Sequence, residues 1–568
     1  MPSNLSKDPA GPALPPQCFP MRTICYSLLT LGLLYLSPCV TAQTGPDLED
    51  NTVTVLSSFE ARLIDAERVL VNPAPPRPDT ARRRQQYSLS ARPLETDYPA
   101  PVIKPRGIRR EKTEEANSGY AKVGLGIPSQ FYGDLSYDVV GIENVDLGLY
   151  ANHYSFNNDG TVENQRASDT RLGAEASYLF DQGFAVGVGA AYDTRSRYYY
   201  GYNFLDRVSD TLQRSFTQDE VRQRFNIFDL HGEIYNGTRT QADFDYRAGA
   251  AIYLMDANPA VRETGIDLTI DATKWIGDDA LDFHVETDFT RYKDTATQNL
   301  NNIIFGGAYT TTVAERIKLR VGARLTSQDD DFDVFPDLRA SAPLVDGVLS
   351  AFIGAEGGLQ KNTLRSLTDY NPWLRTRLRI RNSEYTNLYG GVEGTIYGIA
   401  YRAEIGYKIL DNLATYVLDY SREIPQFNVL YDDGNLTTIQ GTATLPLVEN
   451  LDLSANFATR FYNLDNQEKA WHLPQTSFNA AGIYNLPAYN LQLRADVFLE
   501  NGLPYRTESG EADNLNFLTD ISLSGEYLLN DNFSLWARVN NLLNNKRERF
   551  VRYPTIGTNF LAGAAVRF

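Results

Sequence analysis

From Gly119 to Phe568 the chain keeps a two-residue rhythm, and no other feature narrows its possible folds as much. Leu451, Leu453, Ala455, Phe457, Thr459 and Phe461 alternate with Asp452, Ser454, Asn456, Ala458 and Arg460. Phe184, Val186, Val188, Ala190 and Tyr192 do the same against Ala185, Gly187, Gly189, Ala191 and Asp193, and a third run goes from Leu491 to Glu500. Period-two alternation means a strand with one apolar and one wet face. A soluble sandwich alternates as well, so the connections must decide. They come in two sizes, taking turns. Short links lie near Gly141–Asn144, Asp181–Gly183, Gly277–Ala280, Val345–Gly347, Tyr397–Gly398, Val448–Asn450, Pro487–Asn490 and Leu529–Asn532. Long polar links lie at Asn157–Asp169, Gly201–Val221, Lys361–Glu384, Asp465–Trp471, Asn501–Leu515 and Asn541–Gly557.

Tight turns at one end and long loops at the other are what a membrane barrel requires. That parity predicts an all-β fold, a transmembrane antiparallel β-barrel of about 22 strands with a short Pro-rich segment before it. Residues 399–420 and 425–446 are expected to be tall strands rising above the membrane, and 302–345 is the stretch hardest to partition. Closure is a physical necessity: in hydrocarbon every backbone N–H and C=O must bond within the protein, and a closed barrel has no edge. The wet faces then line a lumen and the apolar faces meet outer-membrane lipid.

Composition removes other classes. Mean hydropathy of −0.35 excludes a polytopic helical membrane protein. A formal charge of −18 disfavours nucleic acid as a partner. All three cysteines, Cys18, Cys25 and Cys39, precede residue 43, so the remainder has no thiol for a disulfide, a metal or a nucleophile. A thiol-free chain suits an oxidising compartment.

Residues 21–42 read as a signal peptide. Arg22 supplies the positive end, Ile24 to Leu36 the apolar run, and Val40-Thr41-Ala42 the small-residue cleavage site, with cleavage expected after Ala42. Met21 is then a candidate start. Residues 43–118 contain nine prolines, against eleven in 119–568, and Arg77 to Lys112 is basic. They read as an extended, Pro-rich periplasmic or luminal segment with little core of its own.

The C-terminal strand carries Phe560, Ala562, Ala564, Val566 and Phe568 on one face and ends on an aromatic residue. Phe560, Val566 and Phe568 are therefore candidates for the signal read by the outer-membrane barrel assembly machinery. Before it runs Leu535-Trp536-Ala537-Arg538-Val539-Asn540-Asn541-Leu542-Leu543-Asn544-Asn545-Lys546, followed by Tyr553-Pro554-Thr555-Ile556-Gly557-Thr558-Asn559-Phe560. This resembles the end of TonB-dependent outer-membrane receptors, in a plug-poor form common in Bacteroidota. Leu543 stands where that family usually has Phe, Ile556 where it has a second Pro, and Thr558 where it has Arg. The resemblance implies uptake or passage of a small, scarce ligand across the bacterial outer membrane, powered through a TonB-type periplasmic protein. It also implies a short docking segment near the mature N-terminus. Thr52, Val53, Thr54, Val55 and Leu56 are placed for it and have the β-branched character to add as a strand to a partner's sheet. Family plugs are about twice as long as 43–118, so either that segment, the long loops or a partner must cover the lumen.

Two acid–histidine sets are expected to point inward: Asp229, His231 and Glu233 on one strand, and Asp282, His284 and Glu286 on another. They are the candidate luminal ligand-binding residues. Neighbours at i,i+2 stand about 7 Å apart on a strand, too far to share one ion readily, so a hydrated polar network is expected rather than a metal site. No G-x-S-x-G turn or other catalytic spacing stands out, no cofactor motif follows a strand, and the chain reads as a non-enzyme. The alternatives are a non-transporting barrel that binds partner proteins and, more remotely, a barrel enzyme.

Overall fold

The computed structural model describes residues 118–568, apart from 205–214, 237–239, 241, 259, 329–330 and 449. The leader, the Pro-rich segment and the candidate docking segment Thr52–Leu56 thus lie outside the described residues. Within them the alternating segments form one 22-stranded antiparallel sheet in which neighbours in sequence are neighbours in space. The sheet closes on itself. Gly119–Ile127 pairs with Gln130–Val139 on one side and with the last strand, Asn559–Arg567, on the other, in the register Tyr120↔Arg567 to Ile127↔Phe560. Residues 302–345, the stretch hardest to partition, belong to Thr297–Val313, Ile317–Gln328 and Asp331–Val345. The expected tall strands are Ile399–Asp419 and Gln426–Val448, paired almost throughout with a register shift at Leu410/Leu413.

The outer face is apolar around the circumference. Val123, Leu125, Phe228, Leu230, Ile270, Phe305, Val334, Ile353, Ile405, Phe461, Leu535 and Phe560 are all exposed there. A closed cylinder with a continuous outward belt of such side chains belongs in hydrocarbon. Phe560 and Phe568 lie on this face, whereas Leu561 and Ala565 turn inward and are buried. At the seam between first and last strands a Cβ on Gly563 would meet the Val123 carbonyl oxygen at 1.8 Å, so only glycine lets the two strands approach this closely.

The lower rim, which holds Gly119 and Phe568, carries several tight turns with a left-handed residue, such as Asn144, Gly277, Gly347 or Asn490. The upper rim is mixed. Short links at 128–129, 258–260 and 294–296 separate long loops at 158–165, 199–221, 361–382, 420–425, 465–475, 502–517 and 541–558.

Candidate functional site

Near the upper rim the inward face of the barrel changes character. On Arg222–Asn236 the inward phase is polar at Asp229, His231, Glu233 and Tyr235, but Phe225 and Ile227, in the same phase, are 3 % and 1 % exposed. Tyr253, Met255 and Tyr292 repeat this on neighbouring strands. These side chains would be wet in an open tube. They are dry because the long loops fold over them. Tyr199, Tyr202, Leu364, Leu367, Leu374, Phe427, Phe550 and Tyr553, from four separate segments, join them in one apolar core across the barrel mouth.

Aromatic contacts and backbone acceptors lock this lid. The Trp373 ring stacks on Tyr553 at 4.4 Å between centroids, and Tyr370 stacks on Tyr416 at 4.8 Å. Four tyrosine hydroxyls find a carbonyl in another loop or strand: Tyr553 donates to Pro425, Tyr200 to Pro554, Tyr199 to Leu374 and Tyr370 to His472. His472 sits among them, between Phe427 and Phe550. Its Nδ1 is 2.8 Å from the Tyr416 carbonyl, which can only accept, so Nδ1 carries the proton; Nε2 then accepts from the Val551 N–H at 3.3 Å. Burial pushes the imidazole down to about 4.

The loop 361–382 reaches deepest and is held by luminal carboxylates. Lys361 Nζ lies 2.7 Å from Asp267 and 2.6 Å from Asp288. Helix Leu364–Tyr370 starts at Thr363, whose side chain accepts from the Ser366 N–H. Glu263 accepts from the backbone N–H groups of Leu364 and Arg365 at 2.6 and 3.1 Å. The Arg365 guanidinium grips Asp229 with two parallel bonds of 2.6 and 3.1 Å and lies over the Tyr253 ring.

The two predicted acid–histidine sets are both luminal, and they have different surroundings. Asp229 is a loop anchor through Arg365, and Glu233 Oε2 stands 3.7 Å from Arg247 Nε. Asp282, His284 and Glu286 line a recess in the lumen wall of about 460 Å³, together with Asp271, Arg320, Arg324, Thr326, Asp337 and Tyr385. There Arg320 bridges Asp282 at 2.5 Å and Asp337 at 3.0 Å, while His284 Nδ1 meets Asp271 at 2.7 Å and Nε2 faces Glu286 at 3.5 Å. Arg324 makes one long contact, to the Gly357 carbonyl, and the buried Thr326 hydroxyl has no partner. No group of three metal-ligating side chains occurs among the described residues. The recess therefore offers a mixed set of donors and acceptors able to exchange their mutual bonds for those of an oxygen-rich solute. Cover by the long loops was one of three options the sequence left open; the apolar core they share was not read from it, although the in-phase apolar residues at the strand tops were a usable signal.

No family model and no curated protein matches the chain. Its barrel is similar in fold to solved outer-membrane proteins. The ferric enterobactin receptor PfeA from Pseudomonas aeruginosa superposes with a TM-score of 0.58 at 13% identity, covering 80% of this chain and 81% of that one. The ferripyoverdine receptor of the outer membrane of Pseudomonas aeruginosa gives 0.58 at 12% identity over 81% and 72%. The copper transporter OprC gives 0.57 at 14% identity over 79% and 80%. The barrel is thus TonB-dependent-receptor-like in architecture, the type that the C-terminal sequence resembles.

Proposed function

We propose that the chain is an outer-membrane receptor that takes up or passes a small ligand, in the manner of TonB-dependent receptors, and is not an enzyme. The single observation carrying this reading is the lid. A static pore has no need of loops that share one apolar core across its mouth, whereas a receptor must hold its channel shut until a ligand binds. The neighbours in fold are receptors for ferric chelates and a copper transporter, which supports a small metal-bearing solute as the cargo. In this reading a signal peptide at 21–42 directs export and the barrel assembly machinery reads the last strand through Phe560, Val566 and Phe568. Residues Thr52–Leu56 dock a TonB-type periplasmic protein. Cargo released under the lid meets the recess around Asp282, His284 and Glu286.

Deleting residues 51–56 tests it. Growth on limiting cargo should be lost while the barrel still inserts, folded and at normal abundance. Unchanged growth would refute energy coupling. In planar bilayers the intact protein should conduct little; a large, ligand-independent conductance would refute the closed lid.

A further inference from the structure

Loop 361–382 carries six cations and one carboxylate, Asp369. Two of the cations, Lys361 and Arg365, are the anchors described above. The other four follow at every second residue: Arg375, Arg377, Arg379 and Arg381. They alternate with Leu374, Thr376, Leu378, Ile380 and Asn382, all buried, while Arg377, Arg379 and Arg381 are exposed and Arg375 is half-buried. Among the described residues none of the four guanidiniums has a carboxylate within ion-pair distance, in a chain whose net charge is −18. Arg375 reaches only the Asn428 side-chain oxygen at 3.1 Å and Arg381 only that of Asn412 at 3.5 Å.

The row is also held rigidly. Tyr292 Oη accepts from the Leu378 N–H at 3.1 Å and donates to the Thr376 carbonyl. Gln298 bonds the Leu378 carbonyl at 2.7 Å and the Ile380 N–H at 3.1 Å, and Asn382 bonds Asn302 at 2.8 Å. On the strand Gln426–Val448 the Phe427 carbonyl accepts from the Arg375 N–H at 3.0 Å and Tyr431 Oη from the Arg381 N–H at 3.2 Å. Unpaired like charges repel, so a fixed row of them costs stability that nothing within the described residues returns. Successive guanidiniums on an extended backbone stand about 6.5 Å apart, and four of them span up to about 20 Å. A compact anion touches one or two such groups. A linear polyanion touches them all.

We propose that this arginine row is a binding site for a linear polyanion, specifically a carboxylated polysaccharide chain, distinct from the site for the transported solute. Guanidinium forks match carboxylates bidentately, and a site fixed before binding loses little entropy on association. Trp373, the tryptophan beside the row, is packed on Tyr553 and Phe550 and offers no free platform for stacking bases. This favours an acidic glycan over single-stranded nucleic acid.

The test uses the full chain in detergent and a fluorescent uronic-acid oligomer of about ten sugars, titrated at low and moderate salt. Wild type should bind with salt-sensitive affinity. Arg377→Gln with Arg379→Gln should weaken binding by roughly two- to fivefold per guanidinium and flatten the salt dependence. Arg377→Lys with Arg379→Lys should recover part of the loss, since charge returns without the fork. Heat-resistant electrophoretic mobility of the folded barrel, unchanged in both variants, excludes a folding defect as the cause. Absence of binding by wild type, or equal binding by the Gln variant, would overturn the site. Competition by citrate at equal total charge would overturn the linear ligand. A DNA oligomer binding as tightly as the uronate would overturn the glycan assignment.

Discussion

Lys361 should govern how long the lid stays shut. Its ammonium lies between Asp267 and Asp288, and the Asp288 side chain is only 3% exposed. Lys361→Met keeps the length of the side chain and removes the charge. Asp288 then retains hydrogen bonds from Thr290 and Asn302 but loses its counter-ion in a site nearly closed to water. Removing one partner of a buried pair costs about 3–5 kcal/mol, chiefly because the remaining charge is stranded. Asp267 is more exposed, so the low end applies, about 3 kcal/mol. If that cost falls on the closed lid alone, its ratio of closed to open states drops about a hundredfold. Single-channel recording in planar bilayers measures the ratio directly as dwell times. Adding Asp288→Asn to Lys361→Met should restore much of the closed state, because the stranded charge is gone. Dwell times within twofold of wild type for Lys361→Met, or no recovery in the double variant, would refute the reasoning.

Three further expectations follow from the same structure. His472 is neutral in the closed lid with its imidazole pushed down to about 4, below the unfolded value of about 6.5, so its contribution is full above pH 6.5 and is lost as pH falls towards 4; channel opening should rise through that window, and His472→Gln, which keeps one donor and one acceptor, should flatten the rise. Gly563→Ala sets a methyl group against the Val123 carbonyl at the seam and should cost about 1–3 kcal/mol, read as a lower urea midpoint of the folded barrel in detergent; an unchanged midpoint would show that the strands separate without penalty. Ile353→Arg, on the exposed outer face of Leu349–Gln360, should destabilise the barrel in lipid by about 2–4 kcal/mol, whereas Glu356→Arg on the inward phase should cost far less.

The cylinder was legible because its signal is local and repeated. Each strand declares its two faces in its own residues, as Leu451 to Phe461 does, and a lipid belt tolerates no break in the pattern. The tall pair 399–419 and 426–448 could be placed for the same reason. The lid was not legible because its partners are remote: Arg365 finds Asp229 136 residues away and Gln165 finds Pro554 389 residues away. Loop length also misled at the upper rim, where only three residues, 294–296, join two strands. Of the candidate luminal residues, direction followed from parity, but which carboxylates face water and which are consumed by a loop depended on where Lys361 and Arg365 come down.

The seam between Gly119–Ile127 and Asn559–Arg567 has a consequence for biogenesis. The two ends of a 450-residue tube are zipped by a ladder of main-chain bonds, and the nine residues Asn559–Arg567 supply half of that zipper. Until they have been synthesised and exported, the opening strand presents a raw border to lipid, so a chain shortened by a handful of residues should yield no cylinder at all rather than a slightly weaker one.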